Sequence, residues 1–81
     1  MQSLYVHANW DDLAQVWVAS SDDVPGLATE ADSYELLMAK LKVMIPELLA
    51  LNGDLRASEV GEPVPFELLA RRFTTTSQAV L

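Results

Sequence analysis

The stretch from Val16 to Leu37, V-W-V-A-S-S-D-D-V-P-G-L-A-T-E-A-D-S-Y-E-L-L, constrains the fold more than any other part of the chain. It reads as strand, turn, strand, helix cap and amphipathic helix with almost no spacer residues. Pro25 sets φ at the first central turn position, and Gly26 supplies the positive φ that a type II turn requires. Gln15 to Ser21 on one side and Leu27 to Ala31 on the other therefore pair as an antiparallel hairpin. Asp32 or Ser33 caps the helix that follows, and Glu35 stands three residues after Asp32, the spacing of a capping box.

Upstream, Leu4 to Trp10 alternates and is rich in aromatic and β-branched residues, which marks a first strand. Asp11-Asp12-Leu13-Ala14 is its turn, since aspartates favour turns by accepting bonds from their own backbone. Within the helix, Leu37, Leu41, Met44, Leu48 and Leu51 recur at helical spacing. Tyr34, Met38, Ile45 and Leu49 widen that stripe beyond the roughly 100° that one core face needs. Asn52-Gly53 marks the helix end. Pro46 lies inside the pattern and cannot donate to the carbonyl of Lys42, so the reading is one kinked helix or two shorter ones. Asp54 to Pro63 is a polar loop, Val64 to Thr75 is a fourth strand, and the tail from Thr76 to Leu81 frays. Pro65 suits a strand start or sheet edge, where no N–H is needed.

Three antiparallel strands, a helix and a fourth strand make an α+β domain. The first three form a meander with the second in the middle. A right-handed crossover through the helix brings the fourth strand parallel to the first. The predicted order is 3-2-1-4, with the helix on one face and the other face bare. Eighty-one residues make one domain, and a chain of this size buries only about 60–65% of the surface its unfolded form exposes.

Composition narrows the functional classes. There is no cysteine, which excludes disulfides, thiolate metal sites and cysteine nucleophiles. The start M-Q-S-L-Y-V-H lacks the basic and apolar segments of a signal peptide. No apolar run approaches the roughly 18–20 residues that span a bilayer, so a cytoplasmic location without membrane attachment is expected. The net charge is −7. Phosphate backbones repel such a domain, and only Arg71-Arg72, with Lys40 and Lys42, offers any basic concentration. Direct nucleic-acid binding is not expected. The acidity either keeps a small protein soluble or forms a surface that docks on a basic partner.

Residues with chemical potential are few. His7 is the sole histidine and stands mid-strand. General-base work would require a nucleophile or carboxylate beside it, with Asn9 and Glu67 as the candidates across the sheet. Asp11, Asp12, Asp22 and Asp23 are better read as turn formers than as metal ligands, since their spacing fits no EF-hand-type loop. Ser20-Ser21 and Thr74-Thr75-Thr76 lack any nucleophile-elbow context. Gly26, Gly53 and Gly61 each have a turn or cap to explain them. No catalytic residue, cofactor or metal is predicted.

Aligning Ala8 opposite Val16 groups Leu4, Val6, Ala8, Val16 and Val18 beneath the helix. Tyr5, His7, Trp17 and Ala19 then share the bare face, a candidate protein-contact surface. The wide helix stripe adds Met38, Ile45 and Leu49 as candidates for an interface between copies, in a homodimer or larger oligomer.

The order of elements, with D-D-V-P-G at its centre and K-L-K-V-M-I-P-E-L-L in the helix, resembles the N-terminal domain of HicB-like antitoxins. It is closest to the small stand-alone HicB-like proteins of unknown function, and the likeness runs from about Tyr5 to Arg71. The resemblance implies a cut-down RNase H-like fold. It also implies a partner, HicA, a small basic RNA-cleaving toxin that HicB proteins sequester. Asp22 to Gly26 correspond to the family's Pro-Gly turn, which is structural there; if the net charge serves docking, Asp22 and Asp23 are candidates for the acidic cluster. The chain departs from many HicB proteins in having too few residues after strand four for a DNA-binding unit. An active nuclease would need converging carboxylates that Leu4 to Trp10 does not contain. The expected function is non-enzymatic masking of a basic ribonuclease, the alternative a homo-oligomeric interaction module without a toxin.

Overall fold

The computed structural model describes residues 4–53 and 63–76, in the order β1 (Leu4–Asp11), β2 (Val16–Ser20), β3 (Ala28–Ala31), α1 (Tyr34–Leu51) and β4 (Phe66–Arg71). The four strands form one sheet of order β3-β2-β1-β4. β1 pairs antiparallel with β2 and parallel with β4, and β2 pairs antiparallel with β3. This is the α+β topology expected from the sequence. Most of the predicted loop over 54–63 and the tail beyond Thr76 lie outside the described residues. No helix among the described residues is long and apolar enough to cross a membrane.

The local signals act as their chemistry requires. Leu27 N–H donates to the Val24 carbonyl at 3.1 Å, closing the turn around Pro25-Gly26, and Gly26 has φ of 87°. Ser33, rather than Asp32, caps the helix: its side chain accepts from Leu36 N–H at 3.1 Å. α1 runs unbroken through Pro46. Both Pro46 and Lys42 are exposed, so water can reach the carbonyl that the proline leaves without its helical donor. At the far end Gly53 has φ of 70°, and Asn52 donates its side-chain amide to the Pro25 carbonyl at 3.0 Å. That bond ties the helix terminus to the Pro-Gly turn.

The core is Leu4, Val6 and Ala8 of β1, Ala19 of β2, Ala31 of β3, Val24 and Leu27 beside the turn, and Leu37, Leu41, Ile45 and Leu49 of α1. The buried helix row runs i, i+4, i+8, i+12, the ridge that most often packs against a neighbour. It differs from the stripe centred on Met44, Leu48 and Leu51. Met44 and Leu48 flank the row partly buried, and Leu51 is 82% exposed. The two stripes overlap around the helix, and only the direction in which α1 crosses the sheet selects between them. In consequence Ile45 and Leu49 belong to this chain's own core, at 1% and 0% exposure, and are not free for an interface between copies. Met38 is half-buried.

The hairpin register also departs from expectation. Ala8 faces Ala19 rather than Val16, a displacement of three residues. An odd displacement exchanges the two faces of a strand. Trp17 and Ala19 therefore point beneath α1, while Val16 and Val18 take the bare side. The cause lies in the turn, which begins one residue later than predicted. Asp11 Oδ1 accepts N–H bonds from Leu13 and Ala14, both at 3.1 Å, and the Asp11 carbonyl accepts from Gln15 N–H at 2.7 Å. Gln15 takes φ of 58° to close the loop. β4 is likewise shorter than Val64 to Thr75, its last pair being Asn9 with Arg71.

Candidate functional site: two faces of an open sheet

The bare face is assembled by register. One row across the sheet runs Ala28, Ser20, His7, Leu69, and the next runs Glu30, Val18, Asn9, Arg71. Tyr5 stands opposite Glu67 above them. Tyr5, Val18 and Leu69 are each more than 40% exposed and lie among His7, Asn9 and Ser20, so this face mixes apolar and polar side chains, with Glu30 on one edge strand and Glu67 and Arg71 on the other. Of the predicted contact residues, Tyr5 and His7 are here. Trp17 is not. Val18 and Leu69 take its place, and the inverted register of β2 is the reason the sequence reading missed Val18.

His7 lies in a row with Ser20 and Leu69, and Glu67 is diagonal to it on β4. Among the described residues no hydrogen bond reaches its ring, and no cluster of histidine and carboxylate side chains could hold a metal ion. Two of the turn aspartates serve the backbone instead. Asp11 closes the hairpin. Asp23 Oδ2 accepts from Tyr5 N–H at 2.8 Å, while Ser21 Oγ donates to the Tyr5 carbonyl at 2.5 Å and accepts from Asp23 N–H at 3.1 Å. β2 ends at Ser20, and these two side chains take over where its backbone stops. Asp22 is exposed and makes no such bond among the described residues, so of the predicted acidic pair it is Asp23 that serves the backbone.

On the helix side, at the hairpin end, the aromatic residues line up. The Arg72 guanidinium sits 4.4 Å from the centre of the Trp10 ring. Trp10 meets Trp17 edge to face at 5.4 Å, and Trp17 meets Tyr34 at 6.5 Å. Such pairs favour edge-to-face geometry because ring faces carry partial negative charge and ring edges partial positive charge. Beside this row an open groove of about 390 Å³ is lined by Asn9, Trp10, Arg71, Arg72 and Phe73. Trp10 shares the inward parity of Leu4, Val6 and Ala8, so its side of the sheet was legible from alternation alone.

A family model described as a domain of unknown function (DUF1902) matches residues 3–79. The chain belongs to that family. A similar solved structure is the crystal structure of hypothetical protein TTHA1013 from the extremely thermophilic bacterium Thermus thermophilus. It is 48% identical, with a TM-score of 0.67, and the match covers 95% of this chain and all of that one. No curated protein matches.

Proposed function

We propose that this DUF1902 chain is a non-enzymatic, HicB-like binding module that masks a small basic ribonuclease in the cytoplasm. The observation that carries the reading is the bare sheet face, where Tyr5, Val18 and Leu69 stand exposed among polar side chains and carboxylates lie on both edge strands. Protein interfaces bury exposed aromatic and aliphatic side chains of this kind beside polar ones. The net charge of −7 would draw a cationic partner toward it. The resemblance to HicB-like antitoxins supplies the partner's class. A homo-oligomeric module without a ribonuclease is the second reading, and the position of β4 at the edge of the sheet among the described residues favours it.

The test is binding kinetics against a small basic ribonuclease encoded beside this chain's gene. Association should slow as salt rises, because long-range attraction is screened within about 8 Å at physiological ionic strength. Asp22→Lys with Glu30→Lys should lower the on-rate more than it raises the off-rate. Tyr5→Ala with Val18→Asp should chiefly speed dissociation. Salt-independent association, or no inhibition of any such ribonuclease, would remove this reading.

A further inference from the structure

We infer that β4 pairs antiparallel with β4 of a second copy of this chain, joining two sheets into one through a self-complementary edge. The two margins of the sheet differ. β3 has four residues, and Lys40 Nζ donates to its Glu30 carbonyl at 2.6 Å. β4 has six residues, F-E-L-L-A-R, without lysine or proline inside it. Its Leu69 is 43% exposed and Ala70 is exposed. Exposed edge strands are normally blunted by shortness, lysine, proline or a bulge, and β4 has none of the first three.

The backbone determines which pairings are open. Leu4 N–H donates to the Pro65 carbonyl at 3.3 Å, and Leu4 is opposite Phe66. A strand residue turns its N–H and C=O to one side and the next residue turns them to the other. Pro65, Glu67, Leu69 and Arg71 therefore face β1, while Phe66, Leu68 and Ala70 offer their groups outward. An antiparallel partner must align outward groups with outward groups. Placing Leu69 opposite Leu69 of the second copy does this, because Leu68 then faces Ala70 on both sides of the two-fold axis. These pairs supply about four backbone hydrogen bonds between the copies.

In the same alignment Glu67 stands opposite Arg71 of the second copy, and Arg71 opposite its Glu67. All three pairs lie on the bare face, since Glu67, Leu69 and Arg71 share it. Opposite charges directly across a strand pair are favourable and like charges are not. Sliding the strands by one pleat either way sets a charged residue against Leu69 and breaks both ion pairs. Sliding further brings Glu67 against itself or Arg71 against itself. The sequence E-L-L-A-R is thus complementary to its own reverse at one register. The seam takes up the β4 margin of the face proposed for the ribonuclease, and its register does not depend on that proposal.

Light scattering of the purified chain at tens of micromolar should give twice the chain mass. Glu67→Arg alone and Arg71→Glu alone should each give monomer, and the two together should restore the dimer. The chain has no cysteine. Leu69→Cys should therefore oxidise to a covalent dimer, the facing Cα atoms of such a pair being about 4.5–5.5 Å apart. Ala70→Cys, facing Leu68, should not. Circular dichroism checks that each variant folds, and the Leu69→Cys cross-link keeps the proposal testable should a charge variant unfold. A monomeric wild type, single charge variants that remain dimeric, or cross-linking at Ala70 equal to that at Leu69 would overturn it.

Discussion

Removing the Asp23 carboxylate should destabilise the fold while removing its neighbour Asp22 should not. Tyr5 lies beyond the last β1–β2 pair, His7 with Ser20, so no strand backbone meets its N–H and C=O on that side. Asp23 Oδ2 takes the N–H at 2.8 Å. A hydrogen bond to a charged group contributes about 1.5–3 kcal/mol net. Tyr5 is 47% exposed, so water can reach the freed N–H and the lower end applies. Asp23→Ala should thus cost about 1.5 kcal/mol. For a domain of this size that lowers the melting temperature by about 6–12 °C, at 4–8 °C per kcal/mol. Asp23→Asn keeps an acceptor without the charge and should lose about half as much. Asp22→Ala, at an exposed position, should stay within about 0.5 kcal/mol of wild type. Thermal and urea melts followed by circular dichroism, at one fixed protein concentration, measure all three. If Asp23→Ala melts with the wild type, or Asp22→Ala falls equally, the bridging role assigned to Asp23 is wrong.

Leu41 is fully buried, and Leu41→Ala should cost about 2–5 kcal/mol in urea unfolding, the range for leucine truncation in a packed core. At Gly26 a Cβ would meet, among the described residues, only Leu48 Cδ2, at 3.6 Å, but φ is 87°. Gly26→Ala should therefore cost about 1–2 kcal/mol through backbone strain, without a packing defect. The purified chain should leave single-stranded and structured RNA intact with Mg²⁺ or Mn²⁺. Cleavage that disappears in His7→Ala or Glu67→Gln would instead make it a nuclease.

Much of this protein was legible in its sequence because the decisive signals act over a few residues. A proline followed by glycine makes the same turn wherever the flanks permit extended chain. A serine before an apolar helix caps it through its own neighbours. Three short-linked strands, a helix and one more strand leave few topologies once right-handed crossover applies, and the observed order is the expected one. Tyr5 and His7 followed from alternation within β1.

Other features needed the assembled chain. The face of Trp17 depended on where the hairpin turned. Asp11 stays in β1 and its carboxylate accepts from both Leu13 and Ala14, which sets the turn one residue later and goes with Trp17 inward and Val18 outward. On α1 two overlapping apolar stripes compete in the sequence. The crossing of helix over sheet buried Leu37, Leu41, Ile45 and Leu49 and left Leu51 in solvent. Asp22 and Asp23 look alike as letters, and only the position of the end of β2 beside Tyr5 separates them. Local conformation was therefore determined by the sequence alone, since each turn and cap is stabilised by contacts within a few residues. Side-chain facing, core membership and the roles of the acids were decided by tertiary structure, because each depends on which distant backbone lies opposite.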